Sequence, residues 1–249
     1  MYLTIKGLVL RVSVYNDTDA LLSVLTHTHG KITLKARGLR RKNSPLAATC
    51  QLLAYSEFTL FRSKDIYIIN EARSVSLFHN LRTDLTKLSL GTYFAQVAEV
   101  ICQEDMPSPQ ILSLVLNSLF ALTEMSLSER FIKTVFEIRC ACLAGYTPDL
   151  SACYQCGNEY PDMLNLKEGR LECSRCRIFD EGGIRMPLTV GALDAMRYIT
   201  ECEPKKIFSF HIDESSLASM SQIAESYLLT QLERGFSTLD FYKSLFIEY

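Results

Sequence analysis

Four cysteines constrain this chain more than any other feature. Cys153 and Cys156 enclose two residues, sixteen residues follow, and Cys173 and Cys176 repeat the two-residue spacing. C-x2-C-x16-C-x2-C falls within the window for a tetrahedral four-cysteine zinc site, in which each short turn points two sulfurs at one ion. Gly157, directly after the first pair, supplies the permissive backbone that such a knuckle uses. The surrounding segment, 148–187, is rich in Cys, Gly and Pro and lacks long apolar runs, so bound metal would supply folding free energy that so small a core cannot. Four thiolates on Zn2+ leave a double negative charge, which Lys167, Arg170, Arg175 and Arg177 are placed in sequence to offset. One structural Zn2+ per chain is therefore expected, because four protein ligands leave no open position for catalysis. A redox C-x-x-C needs a βαβ setting and leaves the second pair unexplained. The remaining Cys50, Cys102, Cys140, Cys142 and Cys202 read as small buried hydrophobes. Nine cysteines are an odd number, and the N-terminus lacks a basic stretch, apolar core and small-residue cleavage site, so a disulfide framework is disfavoured and a cytoplasmic location expected.

The texture on either side of this module differs. Residues 1–75 carry β-branched and aromatic runs separated by turn signals, which predict strands at Leu3–Val14, Ala20–Thr26, Lys31–Arg37, Ser56–Arg62 and Ile66–Glu71. Gly7 inside the first marks a bulge or bend where one strand serves two parts of a small barrel. Five short strands in this length suit a closed barrel of the OB type, with an SH3-like barrel as the alternative. Helical periodicity follows over 76–147, from Leu77 and Leu81 through Phe94 to a break at Met106–Pro109, then Ile111–Met125, then a helix opened by Ser128 and closed by Gly145. It resumes over 188–249, from Leu188 to Ile199 and from Ser215 onward. The fold expected is α+β: a five-stranded OB-fold barrel (1–75), then a helical domain (76–147 and 188–249) with the zinc module (148–187) inserted. The longest apolar run, Ile111–Leu122, falls short of the about 18 residues a membrane span needs.

A formal net charge of −2 argues against nucleic-acid binding until the chain is divided at residue 80. The first part holds 11 Lys and Arg against 5 Asp and Glu, and the remainder 15 against 23, so +6 and −8 sum to −2. No acidic residue lies between Asp19 and Glu57, while Lys31, Lys35, Arg37, Arg40, Arg41 and Lys42 fall within twelve positions. The strand period places Ile32, Leu34 and Ala36 on one face and Lys31, Thr33, Lys35 and Arg37 on the other. Such a face, continued by a cationic loop over Gly38–Pro45, neutralises phosphates without reading bases, so binding should be sequence-tolerant and salt-sensitive. A solvated charged surface is the competing interpretation. Tyr15, Tyr55, Phe58, Phe61 and Tyr67 are available to stack on unpaired bases, though at least half should be core.

Marks of catalysis are missing. No G-x-x-x-x-G-K-[ST], G-x-G-x-x-G or G-x-S-x-G occurs, His27 and His29 have no acid or cysteine near them, and His79 and His211 are isolated. Acidic residues are scattered, as on solvated helix faces. A binding protein is expected, not an enzyme. Two alternatives stand beside it: a zinc-containing protein–protein adaptor without direct DNA binding, and a zinc enzyme, which a closed four-cysteine site disfavours.

Particular residues resemble those of the RecO family of bacterial recombination mediators. Arg130-Phe131, Phe136-Glu137, Gly145-Tyr146-Thr147-Pro148-Asp149-Leu150 and Cys153-x-x-Cys156-Gly157 are similar to that family's entry into its zinc module. Gly7-Leu8-Val9-Leu10, Tyr15-Asn16-Asp17, Thr26, His29-Gly30-Lys31, Lys35 and Gly38 resemble its OB-fold region, and Tyr227-Leu228, Gly235, Leu239 and Phe241 its closing helices. Asp17 stands where glutamate is the family's habit, and Glu168 where a glycine is often found. The resemblance implies single- and double-stranded DNA as ligands, strand annealing, and partnership with RecR and with the C-terminal tail of single-stranded-DNA-binding protein. It further implies help in loading RecA and a nucleoid-associated place in the cytoplasm.

Overall fold

Alternating apolar and polar side chains resolve into five strands: β1 (Tyr2–Val14), β2 (Ala20–Thr26), β3 (Lys31–Ala36), β4 (Tyr55–Ser63) and β5 (Ile66–Ser76). They are seen in a computed structural model of the protein, which describes residues 2–63, 66–176 and 183–246. The strands close in the order β1-β2-β3-β5-β4 around Leu22, Val24, Ile32, Leu34, Phe58 and Leu60. All pairings are antiparallel except β3 with β5, and this is the OB arrangement. β5 runs past the expected end at Glu71 because β4 pairs with it as far as Ser76.

Closure depends on β1. Its first half pairs with β4 and its second with β2, and Gly7 faces a partner on both sides, Ser56 and Thr26. A Cβ at Gly7 would stand 2.4 Å from Cγ1 of Val24, so the close approach of β2 requires glycine. The β1–β2 turn is fixed by side chains. Asn16 Oδ1 accepts the N–H of Thr18 and Asp19 at 2.9 and 2.7 Å, an Asx turn. Asp19 in turn accepts the N–H of Gly38 at 2.9 Å and pairs with the Lys35 ammonium at 3.3 Å, tying the turn to the exit of β3. The Gly38 N–H first, then Lys35, Thr18 and Asn16, outweigh the upward pull of desolvation and set the Asp19 carboxyl at about 2.

Two helices follow the barrel, α1 (Leu85–Ile101) and α2 (Pro109–Glu124). The stripe beginning at Leu77 does not open a helix. Phe78 is left-handed, a 3-10 turn spans His79–Thr83, and Asp84 starts α1 by accepting the N–H of Thr86 and Lys87. The barrel and these helices form one compact unit, Met1–Met125 with Phe236–Tyr249. Its last member is α6 (Ser237–Ser244), held on α1 by the edge-on rings of Phe236 and Tyr93 and by Thr238 donating to Gln96.

Ser126–Gly235 forms the other unit. Ser128 caps α3 (Glu129–Leu143) by accepting the N–H of Phe131, and Gly145 at φ 96° ends it. A four-stranded sheet follows, β6 (Asp149–Cys153), β7 (Met163–Asn165), β8 (Arg170–Glu172) and β9 (Arg185–Pro187), ordered β6-β8-β7-β9. The unit closes with α4 (Val190–Glu201) and α5 (Glu214–Leu232). The helix expected from Ser215 onward is thus two, α5 and α6, parted at Glu233 in the left-handed region. Among the described residues, no helix is long and apolar enough to cross a membrane.

Not every charge sits on a solvated face. Glu137 of α3 is 0% exposed, Lys133 one turn earlier is buried, and their 2.8 Å ion pair is joined by Glu225 of α5, also 2.8 Å from Lys133. Burial alone pushes the lysine down, but the two carboxylates outweigh it and raise it.

Lys133→Met leaves Glu137 buried and uncompensated and should cost about 3–5 kcal/mol, whereas Lys133→Met/Glu137→Met should recover most of the loss; urea titration followed by circular dichroism measures both. Asp19 is lowered in the fold from its ordinary 3.8, so its contribution is complete above about pH 4 and lost as pH falls towards 2. Asp19→Asn should lower stability at neutral pH and flatten the stability curve across that interval.

Candidate nucleic-acid interface and metal centre

β3 alternates as its sequence requires, with Ile32, Leu34 and Ala36 in the core and Lys31, Thr33 and Lys35 outward. The six cations of this region then divide by what they touch. Lys31 reaches the end of α1, donating to the Glu99 carbonyl at 2.8 Å. Lys35, its side chain 18% exposed, is shared between Asp19 and the face of Tyr15, 4.2 Å from the ring centre. Arg40 donates to the carbonyl of Asn16 at 2.6 Å. Arg37 lies exposed over Phe61, 5.7 Å from the ring centre, and Arg41 and Lys42 are exposed on the loop that follows.

Beside this face the barrel closes on a short parallel seam. β3 and β5 pair only at Leu34 with Tyr67 and Lys35 with Ile68, and a cleft of about 840 Å³ occupies the seam. Tyr15, Lys35, Arg37, Arg62 and Tyr67 line it, with Glu104 and Asp105 from the α1–α2 loop. Tyr15 is 54% exposed, while Phe58 is core. Arg62 stands 5.8 Å from the ring centre of Tyr67. It is the cation that the sequence pattern does not reveal: it belongs to β4, far along the chain from the cationic run, and only the β3–β5 pairing brings it beside Lys35 and Arg37. An arginine over an aromatic ring at a cleft mouth is equipped to hold a phosphate beside a stacked base.

The four spaced cysteines converge. Their sulfurs all lie within 4.8 Å of one another, and Cys156 Sγ is 3.8 Å from Cys173 Sγ. Four sulfurs at the zinc–sulfur distance of about 2.3 Å occupy a tetrahedron with edges of about 3.8 Å, so the cluster has the dimensions of a metal site and a soft donor set suited to zinc. Each pair sits on a tight turn: Gly157, at φ 71°, donates to the Cys153 carbonyl at 3.0 Å, and Cys176 to that of Cys173 at 3.0 Å. Burial pushes the Cys153 thiol up, but the N–H groups of Cys156, Gln155 and Cys173 outweigh it and hold it at about 6. Cys176 is pushed up to about 12, chiefly by its hydrogen bond with Cys156, then by burial and by the repulsion of the neighbouring thiolates. These four residues can hold a metal ion; among the described residues no other such group of His, Cys, Asp and Glu forms.

The charges expected to offset the thiolates are partly engaged elsewhere. Arg170 stacks 4.0 Å from the ring centre of Tyr154 and pairs with Glu172, Arg175 is exposed, and Arg177 lies outside the described residues. Directly before Cys173, Glu172 is buried, accepting from Arg185 at 2.7 Å and Asn165 at 3.1 Å. Of the other cysteines Cys50, Cys102 and Cys140 are buried as expected, but Cys142 and Cys202 are only half-buried.

Comparison with known proteins agrees with this architecture. The family model described as Recombination protein O N terminal matches residues 1–78, and that described as Recombination protein O C terminal matches 82–240. A DNA repair protein RecO from Acetivibrio thermocellus is 34% identical over 247 residues, covering 98% of this chain and 97% of its own. One from Alkaliphilus metalliredigens is 27% identical over 248 residues, 98% and 100% of the two chains. One from Symbiobacterium thermophilum is 26% identical over 250 residues, 97% and 96%. With both domain models matched in order and relatives aligned along nearly its whole length, the chain belongs to the recombination protein O family of DNA repair proteins.

Proposed function

We propose that the protein is a non-enzymatic recombination mediator that binds single- and double-stranded DNA through its barrel and anneals complementary strands. With RecR it then helps load RecA onto strands covered by single-stranded-DNA-binding protein, whose C-terminal tail it engages. The observation that carries this is the outward face of β3 and its loop, where cations stand beside the exposed ring of Tyr15 and the half-buried rings of Phe61 and Tyr67 on an OB barrel. Lys31, Lys35, Arg37, Arg40, Arg41 and Lys42 form the DNA-binding set. Arg37, Arg41 and Lys42 make the direct phosphate contacts, while Lys31, Lys35 and Arg40 shape the surface through their protein partners. Annealing follows from charge: a cationic surface screens the repulsion between two backbones brought to it. Cys153, Cys156, Cys173 and Cys176 hold one structural Zn2+, which fastens the module of the helical domain and takes no part in binding DNA.

Measured as log K against log salt, single-strand binding by Arg37→Ala/Arg41→Ala/Lys42→Ala should show a slope shallower by about 2, at about 0.7 for each phosphate no longer neutralised. An unchanged slope would favour the adaptor without direct DNA binding. Metal analysis should find one zinc per chain, lost in Cys156→Ser/Cys176→Ser, with DNA affinity retained in that variant.

A further inference from the structure

The cleft at the β3–β5 seam is not uniformly cationic. Lys35, Arg37 and Arg62 enter it from the strands, whereas Glu104 and Asp105 enter from the loop between α1 and α2. We propose that these two carboxylates make the cleft select an unpaired strand over a duplex. This rests on the nucleic-acid reading of the barrel given above and names which form of DNA this part of it takes.

The loop that carries them is fastened to the barrel. Asp105 donates its N–H to the carbonyl of Lys31 at 3.1 Å, and the Lys31 ammonium closes on the Glu99 carbonyl at 2.8 Å. Gly30 is in the left-handed region at φ 65°, and a Cβ there would stand 2.1 Å from the carbonyl oxygen of Met106, so the hairpin and loop touch backbone to backbone. Asp105 itself is left-handed, at φ 57°, a conformation that aspartate tolerates better than most residues. The backbone that carries the two carboxylates is therefore held against the cleft. Both are exposed, and among the described residues neither forms an ion pair.

A single strand can satisfy such a cleft. Its one row of phosphates lies along Arg37 and Arg62, and its bases, free of partners, reach the rings of Tyr15 and Tyr67. A duplex cannot, because its base faces are covered and it brings a second row of phosphates. That second row meets the carboxylates at a separation shorter than the Debye length of about 10 Å, where salt does not screen the repulsion away. Arg41 and Lys42 on the exposed loop, outside the cleft, serve both forms of DNA, so duplex is left with these two while a single strand gains Arg37 and Arg62 of the cleft as well.

The test compares the full chain with Glu104→Gln/Asp105→Asn for binding to a short oligothymidylate and to a duplex of equal length at one salt concentration. Duplex affinity should rise about tenfold and single-strand affinity at most about threefold. An equal rise for both ligands, or no change in either, overturns the proposal. Arg37→Ala/Arg62→Ala separates the two levels. Loss of single-strand binding there, with selectivity unmoved in the carboxylate variant, sinks the selectivity alone; unchanged single-strand binding there removes the cleft as a DNA site and the selectivity with it.

Discussion

Barrel closure through β1 is the constraint on which the cationic surface of the barrel depends. One strand pairs along half its length with β4 and along the other half with β2, and the change of partner works because Gly7 lets Val24 approach to where a side chain would stand. That circuit links the five strands by four antiparallel pairings. What remains for β3 and β5 is a parallel pairing of two residue pairs. The seam is short, and the outward residues of β3 and the end of β4 line the cleft beside it. Position of charge here thus follows from backbone pairing, and the Asp19 clamp fixes how far the β1–β2 turn, with Tyr15, leans over the cleft.

The other unit uses charge differently. It buries Glu137 and Glu172, each against a basic partner, and places four sulfurs at mutual distances that suit one ion. An isolated buried carboxylate would cost several kcal/mol, so these pairs fix which arrangement of α3, α5 and the small sheet is allowed. The module's polar contacts among Asn165, Glu172 and Arg185 and its sulfur cluster tie the same short strands together, which explains how a segment so poor in apolar residues takes a defined shape.

Much of this is legible in the sequence because it is local. Strand alternation places all five barrel strands within a few residues, the Asn16–Asp19 turn and Ser128 cap are chemistry between near neighbours, and the cysteine spacing is a statement about two short turns. What escapes depends on residues far apart in the chain. Lys31, Lys35 and Arg40 look alike in sequence to Arg37, yet Glu99, Asp19 and Asn16 have claimed them. Arg62 gains its place only from β3 beside β5. Glu137 reads as a solvated charge until α5 brings Glu225 to Lys133, and nothing local tells that α6 returns to the unit of the barrel. The resemblance to the RecO family, by contrast, is carried by motifs at both ends of the chain, and both domain models match there.

A net charge near zero therefore conceals an uneven distribution: a basic barrel with an aromatic-lined cleft at its β3–β5 seam, and an acidic remainder. The central claim is that DNA lies on the barrel. Hydrogen exchange of the full chain, read by mass spectrometry with and without a single-stranded oligonucleotide, tests it most directly. Slowed exchange should fall on residues 31–45 and on the paired ends of β4 and β5, with residues 126–235 unchanged; protection confined to 126–235, with the barrel exchanging as in the free protein, would contradict it.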